Sequence, residues 1–224
     1  MLFERGMCPK FVVCSKRRVA AGVLRDYTHS MSFPEKRYDD IAAYCDAYLE
    51  RLFRASRGLD RLAIGRAAAA ILSAYERDAV VYCCGNGGSA AIANHLVCDH
   101  VKAVGCDTAL RTRVVSLAST IEIMTAIGND LGYESVFVHQ LQLMARPGDL
   151  LIVISSSGDS DNVVRAIDWC KAHDVQTIAL TGFSGGRARE RSDISIHVDC
   201  TNYGILEDVH QTVMHLLAQY IRQL

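Results

Sequence analysis

Proline is scarce in this 224-residue chain: of the three present, only Pro147 lies beyond residue 34, so nothing in the interior reads as a linker. No CxxC pair occurs among the nine cysteines, an odd number, which argues against a zinc finger or a disulfide framework. Cys83 and Cys84 sit together inside an apolar run and read as small core hydrophobes. That usage implies a reducing compartment, taken here as cytoplasmic. A basic surplus is also missing: 24 basic residues face 25 acidic ones, for a formal net charge of −1, which argues against a nucleic-acid partner. A small anion remains compatible, because backbone N–H groups at a helix start can hold a phosphate without lysine. No apolar run reaches the roughly 18 residues of a membrane span, so no membrane partner is expected.

Half of the residues are hydrophobic and 22% are charged, the profile of a globular protein with a sizeable core. Residues 1–30 stand apart, being basic and irregular (Lys16, Arg17, Arg18, Arg25). Glu4 and Asp26 count against a transit peptide. The expectation is that residues 1–34 form an extension, either a disordered tail or the product of an upstream start codon with Met31 as the functional beginning, and that residues 35–224 form the domain.

Helical spacing begins at Tyr38, where Ile41, Cys45, Tyr48, Leu49 and Leu52 make one stripe, and alanine-rich residues 62–75 predict a second helix. After that, short apolar runs alternate with helical patterns. Strands are predicted over 79–84, 113–117, 150–154, 177–180 and 194–198, and helices over 89–104, 120–127, 134–145, 162–173 and 205–222. Most of the strand runs are continuously apolar, which predicts a parallel sheet covered on both faces. Right-handed crossovers place the loops that follow the strands along one sheet edge, where ligands of such folds bind.

Two of those loops carry the composition of a phosphate cradle. The first is Gly85-Asn86-Gly87-Gly88-Ser89, where glycine permits a tight turn and close approach of an anion to the backbone. It also satisfies G-x-G-x-x-A through Gly85, Gly87 and Ala90, so a dinucleotide site has to be weighed. The acidic residue that a ribose requires is absent from the end of the second strand, Ser116-Leu117-Ala118-Ser119-Thr120. The Gly-Lys-Ser/Thr ending of a Walker loop is absent too. The second loop, Ser155-Ser156-Ser157-Gly158-Asp159-Ser160, offers four hydroxyls and the free N–H groups of a helix start. One such loop reads equally well as a serine-rich N-cap. Two of them after two buried strands point to a phosphorylated ligand.

A second set of residues could carry proton transfer. His95 and Asp99 lie four apart on one helix, sharing a face. Glu207 and His215 lie eight apart on the last helix, near Asp208 and His210. If the two faces meet, they can bind a divalent metal, or serve as acid and base beside a carbonyl.

The segments "CGNGGSAAIANH", "AIGNDLGYESVF" and "ISSSGDSDNV" resemble the sugar isomerase (SIS) domain, with the closest match in the phosphoheptose isomerase family. The resemblance covers about residues 35–224. It implies an α/β fold, flavodoxin-like, in three layers: a five-stranded parallel sheet flanked by helices, with further helices at the N-terminus, assembled as a homotetramer. It implies that Ser89, Ser155, Ser156, Ser157 and Ser160 hold the sugar phosphate together with the Gly87-Gly88 backbone. Asn86, Thr120 and Glu207 would contact the sugar. His95, Asp99, Glu207 and His215 would form a zinc site, with Asp99 and His215 catalytic. The implied reaction is aldose–ketose isomerisation of a phosphosugar, sedoheptulose 7-phosphate to D-glycero-D-manno-heptose 7-phosphate, through an enediol. The chain departs from the family pattern at four of these places. Asp99 replaces a glutamate, Glu207 replaces a glutamine, and Thr120 and Gly204 stand where the family has acidic residues. These departures keep a second expectation open, a non-catalytic phosphosugar-binding regulator or assembly protein.

Overall fold

The computed structural model describes residues 33–224, so the expectation for residues 1–34 lies almost wholly outside the described residues. Two helices come first. Asp40 caps α1 (Ile41–Arg57) by accepting from the backbone N–H groups of Ala42 and Ala43, and Asp60 caps α2 (Arg61–Glu76) in the same way. The stripe expected on α1 is only half used. Tyr48 and Leu52 pack against the core, whereas Ile41 is 79% exposed and Leu49 is 54% exposed.

Five strands follow: β1 (Val81–Gly85), β2 (Val114–Ser116), β3 (Leu150–Ser155), β4 (Gln176–Thr181) and β5 (Ile194–His197). They form one parallel sheet in the order β2-β1-β3-β4-β5. Alternate residues of each strand face opposite layers, as the strand period requires. Cys83, Ile152, Ile154, Ile178 and Leu180 join a core with α2, with α3 (Gly88–Cys98) and with α9 (Tyr203–Arg222). Tyr82, Cys84, Leu151, Val153 and Ala179 face the other layer. That layer contains α5 (Ile121–Asp130), α6 (Val138–Met144), α7 (Asp161–Ala172) and α8 (Gly186–Arg191). Both layers bury continuous apolar strands, which is why the strand sequences do not alternate in polarity. No described helix is long and apolar enough to cross a membrane.

Three local departures from the sequence pattern matter. The helix expected over 89–104 changes its winding at Asp99, where a π-helical stretch runs from Asp99 to Val104 and leads into the short α4 (Gly105–Asp107). The Gly105 N–H there reaches back five residues to the His100 carbonyl. The stretch expected over 134–145 splits into a 3-10 turn, Tyr133–Ser135, and α6. Helix α8 was not expected, because its glycine- and arginine-rich sequence shows no apolar period.

The described cysteines are free, and three of them (Cys83, Cys84 and Cys170) are buried. Burial pushes the Cys83 thiol up to about 12, as suits an inert core residue.

Candidate active site

In a doubly wound sheet of this strand order the chain reverses direction between β1 and β3, and a crevice opens beyond their carboxyl ends. The two glycine- and serine-rich loops leave the sheet at that point. Gly85, the last residue of β1, pairs with Ile154 of β3, so Asn86–Ser89 and Ser155–Ser160 start side by side. A Cβ on Gly85 would lie 2.7 Å from the Ile154 carbonyl oxygen and 2.7 Å from the Ser89 Cβ. Glycine there lets the loop fold back over the neighbouring strand.

A reciprocal amide pair ties the loops together. Asn86 Nδ2 donates to Asn162 Oδ1 at 3.0 Å, and Asn162 Nδ2 donates to Asn86 Oδ1 at 2.9 Å. Tyr133 adds its hydroxyl to Asn86 Oδ1 at 2.8 Å. Asn162 is 2% exposed, in the first turn of α7. Neither Asn162 nor Tyr133 is among the site residues expected from the sequence. A signal for Asn162 existed: it sits one turn before Ala166 on the same buried face as Ala166 and Cys170, a polar residue where the period calls for an apolar one.

The second loop is held in shape by its own side chains and by a brace behind it. Gly158 N–H donates to Ser155 Oγ at 3.1 Å, and Asp159 N–H donates to Ser157 Oγ at 3.3 Å. Gly158 adopts a φ of 68° and packs directly on the Gly185-Gly186 backbone. Arg187 Nε donates to Asp159 Oδ1 at 2.5 Å, and its Nη2 donates to Asp161 Oδ1 at 2.9 Å. That arginine holds the Asp159 carboxyl below its usual range. Ser89, Ser155 and Ser156 are buried, while Ser157 and Ser160 are half-buried. Thr120 is exposed, at the N-terminal boundary of α5.

Helices α3 and α9 run side by side. At the loop end, the Glu207 carboxylate lies against Gly88, and a Cβ at residue 88 would overlap it. Burial, with Asp208 adding to it, pushes the Glu207 carboxyl above its usual range. Two to three turns further on, His95, Asp99 and His215 meet. His95 Nε2 is 3.3 Å from Asp99 Oδ1, and His215 Nε2 is 3.5 Å from Asp99 Oδ2. The two imidazole rings are 5.1 Å apart, edge to face. Gln211, another residue missed in the sequence, places its amide nitrogen 2.9 Å from His215 Nε2. Asp99 keeps the face of His95 although the helix widens there, while His100 turns inward to pair its Nδ1 with the Tyr75 hydroxyl at 2.7 Å.

His95, Asp99 and His215 can offer one ligand atom each, all within 4.8 Å of one another. Asp99 Oδ2 is buried without a hydrogen-bond partner, so the carboxylate is poised for a cation. Two imidazoles and a carboxylate are a donor set that suits a divalent transition metal with a position left open. Glu207 stands outside this group, at the loop end of the same groove.

The model of the SIS domain matches residues 43–182. The fold and its paired loops thus define a sugar-phosphate domain of the isomerase type. Relatives narrow the class. The chain is 40% identical over 142 residues to the phosphoheptose isomerase of Akkermansia muciniphila, covering 62% of this chain and 74% of that protein. It is 34% identical over 183 residues to the phosphoheptose isomerase of Rhodospirillum rubrum, covering 80% and 94%. The solved structure of a phosphoheptose isomerase from Francisella tularensis superposes with a TM-score of 0.75 at 29% identity, covering 83% of this chain and all of that one. The chain belongs to the phosphoheptose isomerase family, and it is a phosphosugar isomerase.

Proposed function

We propose that this enzyme interconverts sedoheptulose 7-phosphate and D-glycero-D-manno-heptose 7-phosphate, with the phosphate in the two loops and the reacting carbons at Asp99 and His215. One observation carries the reading. His95 lies seven residues into the helix that begins at Gly88, so it stands about 10 Å from the phosphate loops along the helix axis, with Asp99 one turn beyond and in reach of it. An extended seven-carbon chain spans about that distance between its terminal phosphate and the opposite end, which puts C1 and C2 at the histidines.

In the ketose-to-aldose direction, Asp99 removes a proton from C1 while the C2 carbonyl oxygen gains one, giving the enediol. A proton then returns to C2, and the O1 hydroxyl loses its own to form the aldehyde. His215, next to Asp99 Oδ2, is placed to exchange protons with the two oxygens. Ser89, Ser155, Ser156, Ser157 and Ser160, with the Gly87-Gly88 backbone, hold the phosphate. Asn86, Thr120 and Glu207 lie along the sugar, and Asn86 is fixed in place by Asn162. A zinc ion held by His95, Asp99 and His215 would polarise the carbonyl as a Lewis acid. Exposed apolar side chains on α1 and α9 (Leu49, Phe53, Leu216, Tyr220) support a homotetramer. A cytoplasmic location agrees with the free thiols.

The test is incubation with sedoheptulose 7-phosphate in deuterated water, with and without zinc. Deuterium is expected at C2 of the aldose product. Asp99→Asn is expected to lower turnover by at least about 100-fold. Full turnover by that variant removes Asp99 from the base role. Sugar-phosphate binding with no label incorporated at all favours the regulator.

A further inference from the structure

The opposite, N-terminal edge of the sheet carries a second cavity that the isomerase reaction does not use. It measures about 500 Å³ and is lined by Arg77, Asp78, Tyr82, Arg113, Arg146 and Asp149, with Ala79, Val80, Met144 and Pro147 as its apolar wall. The loop after α2 and the loop before β3 form its rim. Tyr82 is the second residue of β1, whereas Gly85, which starts the phosphate loop, is the last, so the two sites lie at opposite ends of one strand.

We infer that this cavity is a binding site for a small phosphate-bearing anion, recognised by the Arg146 and Arg77 guanidinium groups and the Tyr82 hydroxyl. Tyr82 is 3% exposed, yet its hydroxyl has no hydrogen-bond partner among the described residues. The residue lines the cavity, so the hydroxyl is free to donate to an acceptor held there. Asp149, Arg113 and Arg146 line the same cavity as Tyr82. Arg146 is exposed at the rim, and its guanidinium makes no ion pair or hydrogen bond with any described residue.

The carboxylates of the cavity are already engaged. Asp149 Oδ1 accepts from the Val80 N–H and Oδ2 from the Arg146 N–H, both at 2.8 Å. Asp78 faces Arg113 at 3.6 Å and Arg111 at 3.8 Å. Arg113 also donates to the Asp78 carbonyl at 2.6 Å, so it is committed to shaping the rim. Arg77 spends Nη2 on the Gly148 carbonyl at 3.3 Å and binds Ser73 through Nη1, leaving further N–H groups. Three guanidiniums against two carboxylates leave a positive excess beside a free hydroxyl donor. Planar guanidinium forks match the oxygens of a phosphate, and the apolar wall can take an organic body attached to it.

The experiment is calorimetric titration of the full chain with inorganic pyrophosphate. A site lost or weakened at least about tenfold by Arg146→Gln, and weakened several-fold by Tyr82→Phe, is expected. Both variants are expected to keep isomerase turnover, since neither residue is near the catalytic edge. Ser156→Ala reads the catalytic loops separately, so failure there leaves this cavity's result standing, and the reverse. The inference is overturned if no binding event responds to Arg146→Gln and Tyr82→Phe, whether pyrophosphate binds elsewhere or not at all.

Discussion

Replacing Asn162 with alanine tests whether the two glycine- and serine-rich loops act as one unit. The substitution removes both bonds of the reciprocal amide pair, at 2.9 and 3.0 Å, and leaves the Asn86 amide nitrogen without its protein partner. Two neutral hydrogen bonds and one orphaned donor in a half-buried site together cost about 2–3 kcal/mol. For a domain of this size that corresponds to a fall in Tm of roughly 4–12 °C. Asn86 would then be held only by Tyr133, and drift of its loop by about 1 Å is expected to lower kcat/KM roughly 100-fold. Denaturant unfolding gives the stability, and an aldose–ketose assay gives the rate. Tyr133→Phe is the control. It removes one bond to the same Asn86 oxygen from an exposed hydroxyl and should cost below about 1 kcal/mol. If Asn162→Ala changes stability by less than about 0.5 kcal/mol with kcat/KM intact, the amide pair does not organise the site.

Gly158→Ala should destabilise the fold by at least about 3 kcal/mol, because the position has a φ of 68° and any Cβ there overlaps the Gly185 carbonyl; near-wild-type melting would refute the packing. His210 is fully buried, neither ring nitrogen meets a partner at hydrogen-bond geometry, and burial lowers its pKa from 6.5 to about 4, opposed by the nearby Thr181 backbone and aided by His197. The unfolded chain therefore binds a proton that the native state refuses between those values, and stability should fall as pH drops through that window at up to about 1.4 kcal/mol per unit. Buried His100 is lowered to about 4 as well and contributes across the same window, so His210→Leu should reduce the slope and not abolish it; an unchanged slope would assign the acid sensitivity elsewhere. Treatment with a strong chelator should lower turnover of the native enzyme, and added zinc should restore it, whereas His95→Ala should respond to neither. Equal activity before and after chelation would remove the metal from the mechanism.

The sequence alone carried a good part of this protein. Continuous apolar strands can be buried only between two helical layers, so the parallel sheet and the edge at which its loops gather followed from hydrophobic pattern and chain chirality. The loops at Gly85–Ser89 and Ser155–Ser160 were legible because tight turns and small hydroxyl side chains are local properties of a few residues. Helix α8 was not legible, since its stability comes from packing Ala188 beneath the second loop and not from any period of its own. The widening of the helix at Asp99 was equally hidden; it accompanies the contact of His100 with Tyr75, which is distant in the chain. Pairings across long separations were decided by the tertiary structure alone: Asn86 with Asn162, Glu207 with Gly88, and Asp99 between His95 and His215. The same holds for the cavity around Tyr82 at the far edge. Spacing along a helix says which residues share a face, but only the packing of α3 against α9 says which faces meet and at what height.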